Sequence, residues 1–202
     1  MRWLVFGIVS YVGLALQIGL QPVLSVSAGS AGVVTPSFLL VILVYVGLMA
    51  PERVVGWTAL ILGLLSDLIS PVGVASGGAM GGDVVIIGPM AIGFLVGGYA
   101  LVQMRGYVFR KSVLSLAAMV LVVGVFVELV SVALLTMRGW PWLAGEVVPG
   151  WVPADQLVRS FFTVLYSVAL ALVIGWLLMR SEWMWGFSAM AGRGAGIYGQ
   201  RR

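Results

Sequence analysis

Residues 112–136 have the sequence SVLSLAAMVLVVGVFVELVSVALLT, in which Glu128 is the only charged residue. Its central part, 116–127, is apolar on every side, whereas a strand of a membrane barrel would alternate polar and apolar residues. The stretch therefore predicts a helix. Since roughly 20 helical residues cross a hydrocarbon core of about 30 Å, this helix is long enough to span a bilayer.

Similar apolar segments occur along the whole chain, which is 61% hydrophobic and 9% charged, whereas about a quarter of a soluble domain is charged. The first apolar segment, at 3–24, is longer than the core of a signal peptide, which has roughly 7–15 residues, so we expect it to be a retained anchor. We expect an all-α integral membrane protein, a compact bundle of six transmembrane helices at 1–180 with an interfacial and disordered cytoplasmic tail at 181–202. The predicted spans are 3–24, 34–50, 54–69, 84–104, 112–136 and 157–179.

Basic residues predict the orientation. With the N-terminus inside, all of the 11 Lys and Arg residues except Arg138 and Arg159 fall on the inner side of the membrane. The positive-inside rule then places both termini in the cytoplasm. Trp183 and Trp185, which follow the last span, are expected at the inner interface, where tryptophan is enriched.

Two residue types are missing from the chain, which has no histidine and no cysteine. Their absence removes the commonest metal ligands and the side chain that titrates near neutral pH. We therefore expect no catalytic residue, no cofactor and no metal site. The basic residues lie between spans and not in one patch, so the expected partner is the lipid bilayer and not nucleic acid.

Two acids lie inside predicted spans, Asp67 in the third and Glu128 in the fifth. At 1.5 Å per residue both belong to the outer half of the bilayer. A carboxyl group is costly against lipid, so both should point into the bundle. Either they only lock the packing of helices, or they bind a partner or ligand. Arg159, at the outer start of the sixth span, is their best cationic partner.

Small residues precede each acid by four and by eleven positions, on about the same helical face. The fourth span carries a further pair with small-xxx-small spacing. Such stripes let helices approach closely. The predicted helix-packing residues are Gly56, Gly63, Gly93, Gly97, Ala117 and Gly124.

Two further residues concern the fourth span. Asp83 stands just before it and is placed to cap the helix, after a glycine-rich connection at 71–83. Pro89 lies inside the predicted span and is expected to bend it.

Several short motifs within 35–138 resemble one known family. They are TPSFLL at 35–40, APER at 50–53, GLLSDL at 63–68 ahead of a glycine-rich loop, and VEL at 127–129. In this order they resemble the rod shape-determining protein MreD family. The string GLLSDL, an acid ending a glycine-bearing helix, is the most specific part.

The resemblance implies a non-enzymatic membrane scaffold of the complex that elongates the lateral cell wall, and thus maintains rod shape. It implies a multi-pass protein of the bacterial cytoplasmic membrane. The partners that it implies are an MreC-like protein, with a RodA-like glycan polymerase, a class B penicillin-binding transpeptidase and MreB in the same peptidoglycan synthesis machinery.

Two other functions are open to a chain of this kind. The substrate-binding subunit of an energy-coupling-factor vitamin transporter also has six spans and a similar size, and Asp67 with Glu128 would suit an outward-facing ligand cavity. An intramembrane acyl or phosphatidyl transferase is disfavoured, because the chain lacks histidine and any Ser-Lys or paired Asp motif at useful spacing.

Overall fold

The computed structural model describes residues 3–27, 33–69, 87–107, 112–138, 153–181 and 185. The predictions for 71–83, Asp83, Trp183 and most of the tail at 181–202 lie outside these residues. Within them the fold is all-α apart from one short hairpin, as the sequence predicts. The α-helices are α1 Trp3–Leu24, α2 Phe38–Met49, α3 Glu52–Ile69, α4 Pro89–Met104, α5 Val113–Arg138 and α6 Pro153–Arg180.

Three of these helices, α1, α5 and α6, are long enough and apolar enough to cross a membrane. Apart from the six α-helices, the regular elements in the described residues are short. A 3-10 turn, Arg105–Tyr107, follows α4, and two strands, β1 Val26–Ser27 and β2 Val33–Val34, pair antiparallel between α1 and α2. Consecutive helices pack side by side, with α3 against α4, α4 against α5, and α5 against α6.

The centre of the bundle is α2. Every residue of this helix from Phe38 to Leu48 is buried, and α2 contacts α1, α3, α4, α5 and α6. A helix that is apolar all round is stable when other elements cover it on all sides. With 12 residues it is about 18 Å long, so it is shorter than the hydrocarbon core of a bilayer, about 30 Å.

The start of α2 lies beside the middle of α6. Ser37 caps α2, since its Oγ accepts from the Leu40 N–H at 3.3 Å, and its own N–H donates to Ser167 Oγ at 2.8 Å. Ser167 is about 21 Å along α6 from Pro153. The residues that lead directly into α2 therefore lie deep along α6, and strand β2 before them pairs with β1.

Glycines mark the closest helix contacts. A Cβ on Gly63 would lie 2.5 Å from Ala91 Cα, so α3 and α4 meet backbone to backbone there. Cβ atoms on Gly93 and Gly97 would lie 2.8 Å from Val127 O and 2.7 Å from Val127 Cγ2. In the same way Gly124 of α5 faces Val164 of α6 at 2.9 Å, and Ala117 is buried.

Gly56 differs from the prediction that it packs against a helix. It is exposed, and no heavy atom lies within 4 Å of the position that its Cβ would take. The reason is that α4 packs along a row of α3 residues that does not include Gly56. Gly98 of α4 packs on Ala59 and Val55, so the contact follows the ridge of α3 residues that are spaced four apart, starting at Gly63. Gly56 lies seven residues before Gly63 and is not on this ridge.

Trp185 also differs from expectation. It is fully buried, and its ring packs edge-on against Tyr45 of α2, with 5.3 Å between the ring centroids. Its Nε1 donates to Ser181 Oγ at 3.4 Å, just after α6 ends. The difference concerns burial, because the aromatic contact with the central helix holds the side chain inside the bundle, whereas its depth near the inner interface stays a prediction.

Two alanine substitutions on α3 test this packing. Gly63→Ala should lower the free energy of unfolding by about 1–3 kcal/mol, because the new methyl overlaps the α4 backbone. Gly56→Ala is the matched control and should raise it by about 0.5–1 kcal/mol, since alanine loses less backbone entropy. Unfolding in mixed detergent micelles, followed by circular dichroism, measures both values, and equal effects would contradict the assigned contact.

Candidate functional site

Polar side chains from three helices cluster at the level where α4 begins. Asp67 comes from α3, Glu128 and Ser131 from α5, and Ser160 from α6. Hydrogen bonds fix their level, since Asp67 and Ser131 both contact the first turn of α4 and Glu128 lies one turn from Ser131 on α5. We call these four residues the polar layer.

Asp67 caps α4 from the neighbouring helix. Its side chain is 3% exposed, and its carboxylate accepts from the N–H groups of Gly88 at 2.8 Å, Met90 at 3.0 Å and Ala91 at 3.1 Å. Pro89 lies between them and has no N–H to donate. Asp67 thus bonds every free N–H at this helix start through Ala91, and a negative charge there is favoured by the helix dipole.

The start of α4 explains why another helix must supply the cap. Gly88 stands at the N-cap position with a φ of 127°, and it offers no side chain for capping. Pro89 occupies the first helical position, where its fixed φ and missing N–H suit a helix start. The prediction that Pro89 bends the span is wrong, because the helix begins at this residue.

Gly63 and Asp67 lie one turn apart on α3 and act on the same segment of α4. The missing side chain at Gly63 lets the backbone of Ala91 approach, and this approach brings the first amides of α4 within reach of Asp67. Part of the signal is visible in the sequence, as a Gly-x-x-x-Asp spacing followed by Gly88-Pro89 with no capping side chain. The pairing of the two segments is not visible there.

Glu128 points to α6 and bonds to a serine. Ser160 Oγ donates to Glu128 Oε2 at 2.7 Å, and the Glu128 side chain is partly buried. Arg159, the predicted partner, is exposed, and the two described side chains form no ion pair. Consecutive helical residues point about 100° apart, so with Ser160 turned toward α5, Arg159 is turned away.

Ser131 was not found by sequence reasoning. Its Oγ donates to Val127 O at 2.9 Å, and it also lies 3.3 Å from Pro89 O and 3.3 Å from Met90 Sδ. The hydroxyl has one proton, so these oxygens share one donor. Ser131 thereby joins α5 to the α4 turn that Asp67 caps, and nothing in the sequence pattern indicates this contact.

The two acids serve different neighbours. Asp67 bonds to α4, Glu128 bonds to α6, and they share no hydrogen-bond partner among the described residues. Among the residues that the structure describes, no group of three acidic, histidine or cysteine side chains could hold a metal ion. The two acids therefore join helix to helix at two separate points, Asp67 between α3 and α4 and Glu128 between α5 and α6.

Comparison with known proteins adds no relative. No protein family model matches the chain, and neither a curated protein sequence nor a solved structure matches it. The class of protein is therefore defined by the chain itself. In the residues that the structure describes it is all-α apart from one strand pair, with three helices able to cross a membrane and a polar layer that joins α3 to α4, α4 to α5 and α5 to α6.

Substitution of Asp67 tests the cap. Asp67→Ala should lower the free energy of unfolding by about 2 kcal/mol, because it leaves three N–H groups at a partly buried helix start without their acceptor. Asp67→Asn should have a smaller effect, since one carbonyl oxygen remains. Unfolding in mixed micelles gives the energies, and hydrogen exchange at 88–91 should become faster in the same order.

An exposed acid in the first turn of α3, the helix that carries Asp67, provides the control. Glu52 is exposed, so Glu52→Gln should change stability by less than about 1 kcal/mol, and it should not affect exchange at 88–91. A loss of stability in Asp67→Ala with unchanged exchange at 88–91 would show that Asp67 acts elsewhere than at the start of α4.

Proposed function

We propose that this chain is a six-span protein of the bacterial cytoplasmic membrane that acts as a non-enzymatic scaffold for lateral cell-wall elongation. Its partner is an MreC-like protein, and through it the peptidoglycan synthases of that complex. The observation that carries the proposal is the use of the string GLLSDL at 63–68. Its Gly63 and Asp67, in the most specific part of the resemblance to the MreD family, hold the start of α4.

The lengths of the helices support six spans. Beside the three long apolar helices, α3 has 18 residues and α4 has 16, which correspond to about 27 Å and about 24 Å. The central α2 is covered by the other helices and does not have to match the thickness of the lipid. The distribution of Lys and Arg supports cytoplasmic termini.

The use of the acids supports a scaffold over a ligand-binding subunit. Both carboxylate oxygens of Asp67 accept backbone N–H groups, and one oxygen of Glu128 accepts from Ser160. A ligand that bound Asp67 would have to replace three hydrogen bonds that hold α4 in place. The acids therefore stabilise helix contacts, and a rigid bundle with apolar outer faces suits a protein that docks other membrane helices.

The proposed topology predicts a labelling pattern. The chain has no cysteine, so single-cysteine variants need no other change, and both chosen sites are exposed. In intact spheroplasts a membrane-impermeant maleimide should label Asp155→Cys, at the outer start of α6. It should label Glu52→Cys, in the first turn of α3 at the proposed inner side, only after permeabilisation. Labelling of both sites on the same side would overturn the six-span arrangement.

The proposed function predicts a partner and a phenotype. The tagged chain should co-purify with the MreC-like protein of its source organism, and its deletion should abolish rod shape without loss of vitamin uptake. Rod shape should return with the unaltered chain and with Gly56→Ala, whose site is open. It should not return with Asp67→Ala, because the start of α4 is then unsupported.

The main alternative gives the opposite result. Cells without a vitamin-binding subunit of an energy-coupling-factor transporter would keep their rod shape and acquire a vitamin requirement. That outcome would replace the scaffold proposal. Rescue of shape by Asp67→Ala at normal protein levels would instead show that the capped helix start is dispensable for the scaffold.

A further inference from the structure

A shallow apolar groove runs along α6 beside the β1–β2 hairpin. It has a volume of about 340 Å³ and is open on one side, which places it at the lower end of the range for ligand pockets, about 300–1,000 Å³. Two strand residues form one wall and α6 forms the other. The lining residues are Val26, Val34, Phe162, Leu165, Tyr166 and Ala169.

Two opposite charges stand at the N-terminal end of this groove. Asp155 and Arg159 are both exposed, and they form no ion pair with each other in the described residues. At 100° per residue, Asp155, Arg159, Phe162, Tyr166 and Ala169 lie within about 80° of one another on α6. One face of the helix therefore presents an acid, then a base, and then the apolar groove.

We propose that this face binds one phospholipid whose headgroup carries a primary ammonium group, as in phosphatidylethanolamine. The guanidinium of Arg159 binds the phosphate, the carboxylate of Asp155 binds the ammonium group, and an acyl chain lies in the groove. A planar guanidinium suits a phosphate because it can donate two parallel hydrogen bonds. Its methylene stem can lie along the apolar wall while the charged end reaches the interface.

The order of groups along the helix carries the assignment. Proceeding into the membrane from the start of α6, Asp155 comes first, Arg159 follows about 6 Å deeper, and the groove residues follow from about 10 Å. In a phospholipid the ammonium group is likewise outermost, the phosphate lies below it, and the hydrocarbon chain is deepest. The charges and the apolar surface thus match the lipid group by group.

Charge and size distinguish this ligand from others. An anionic headgroup would satisfy Arg159 but would lie beside the Asp155 carboxylate, and a choline headgroup has no N–H to donate to that carboxylate. A partner helix, about 10 Å across with its side chains, is wide for a shallow groove of this volume. Glu128 does not occupy the headgroup position, because it bonds to Ser160 on the face of α6 that packs against α5.

Native mass spectrometry of the purified, delipidated full chain tests the proposal. The chain is incubated with equal amounts of phosphatidylethanolamine, phosphatidylglycerol and phosphatidylcholine that carry the same acyl chains. Phosphatidylethanolamine adducts should be the most abundant. Arg159→Gln should reduce them about fivefold, the upper range for an exposed charge pair. Asp155→Asn should shift the preference to phosphatidylglycerol, because the acid no longer repels an anion.

Matched controls separate the groove from general effects. Ala169→Trp fills the groove and should remove the adducts, whereas Ala133→Trp makes the same change at an exposed site on α5 and should not. Arg53→Gln, at the opposite end of the bundle, should also leave them unchanged. Circular dichroism checks that each variant is folded, and if Ala169→Trp is not, the Arg159→Gln and Asp155→Asn results decide.

Three results would overturn the assignment. They are equal uptake of all three lipids by the unaltered chain, preferred uptake of phosphatidylglycerol by the unaltered chain, and adducts that neither Arg159→Gln nor Asp155→Asn changes.

Asp155 also lies in the first turn of α6, where the helix dipole stabilises a negative charge. A purely structural role of that kind would alter stability and leave the lipid preference as it was. The inference goes beyond the proposed scaffold function and does not require its protein partners.

Discussion

The carboxylate of Asp67 and the first amides of α4 depend on each other. A buried carboxylate is costly unless hydrogen bonds replace its water, and a buried helix start is costly unless an acceptor meets its free N–H groups. Each satisfies the other here, at 2.8 to 3.1 Å. The bundle depends on this contact because α4 packs on both α3 and α5. A shift of its first turn would move Gly93 and Gly97 out of register with Val127.

The second constraint is the short central helix. Since α2 is apolar all round and covered by other helices, its length does not have to match the bilayer. The extended connection before it reaches the middle of α6, where Ser167 accepts the N–H of Ser37. The hairpin in this connection also forms one wall of the groove along α6. The two strands that precede α2 therefore also form part of the surface to which we assign a lipid.

The polar layer has one physical logic throughout. Each polar side chain within it has a hydrogen-bond partner on the backbone or on a neighbouring helix, and the exposed charged residues Asp155 and Arg159 lie near the start of α6. Polar groups used in this way fix which helices meet and at what height. This is a property that the proposed scaffold would require, and it leaves the apolar outer faces of the bundle free of polar groups from this layer.

The positions of the helices can be predicted from the amino-acid sequence, because apolar runs of span length have few other stable structures. It also indicated that Asp67 and Gly63 point into the bundle, since helical periodicity gives a face. It could not determine which neighbour that face meets. The packing of the helices is needed to show that Asp67 caps α4, that Ser160 and not Arg159 bonds to Glu128, that Gly56 is open and that Trp185 is buried. Each depends on the crossing and height of helices distant in sequence, which periodicity along one helix does not encode.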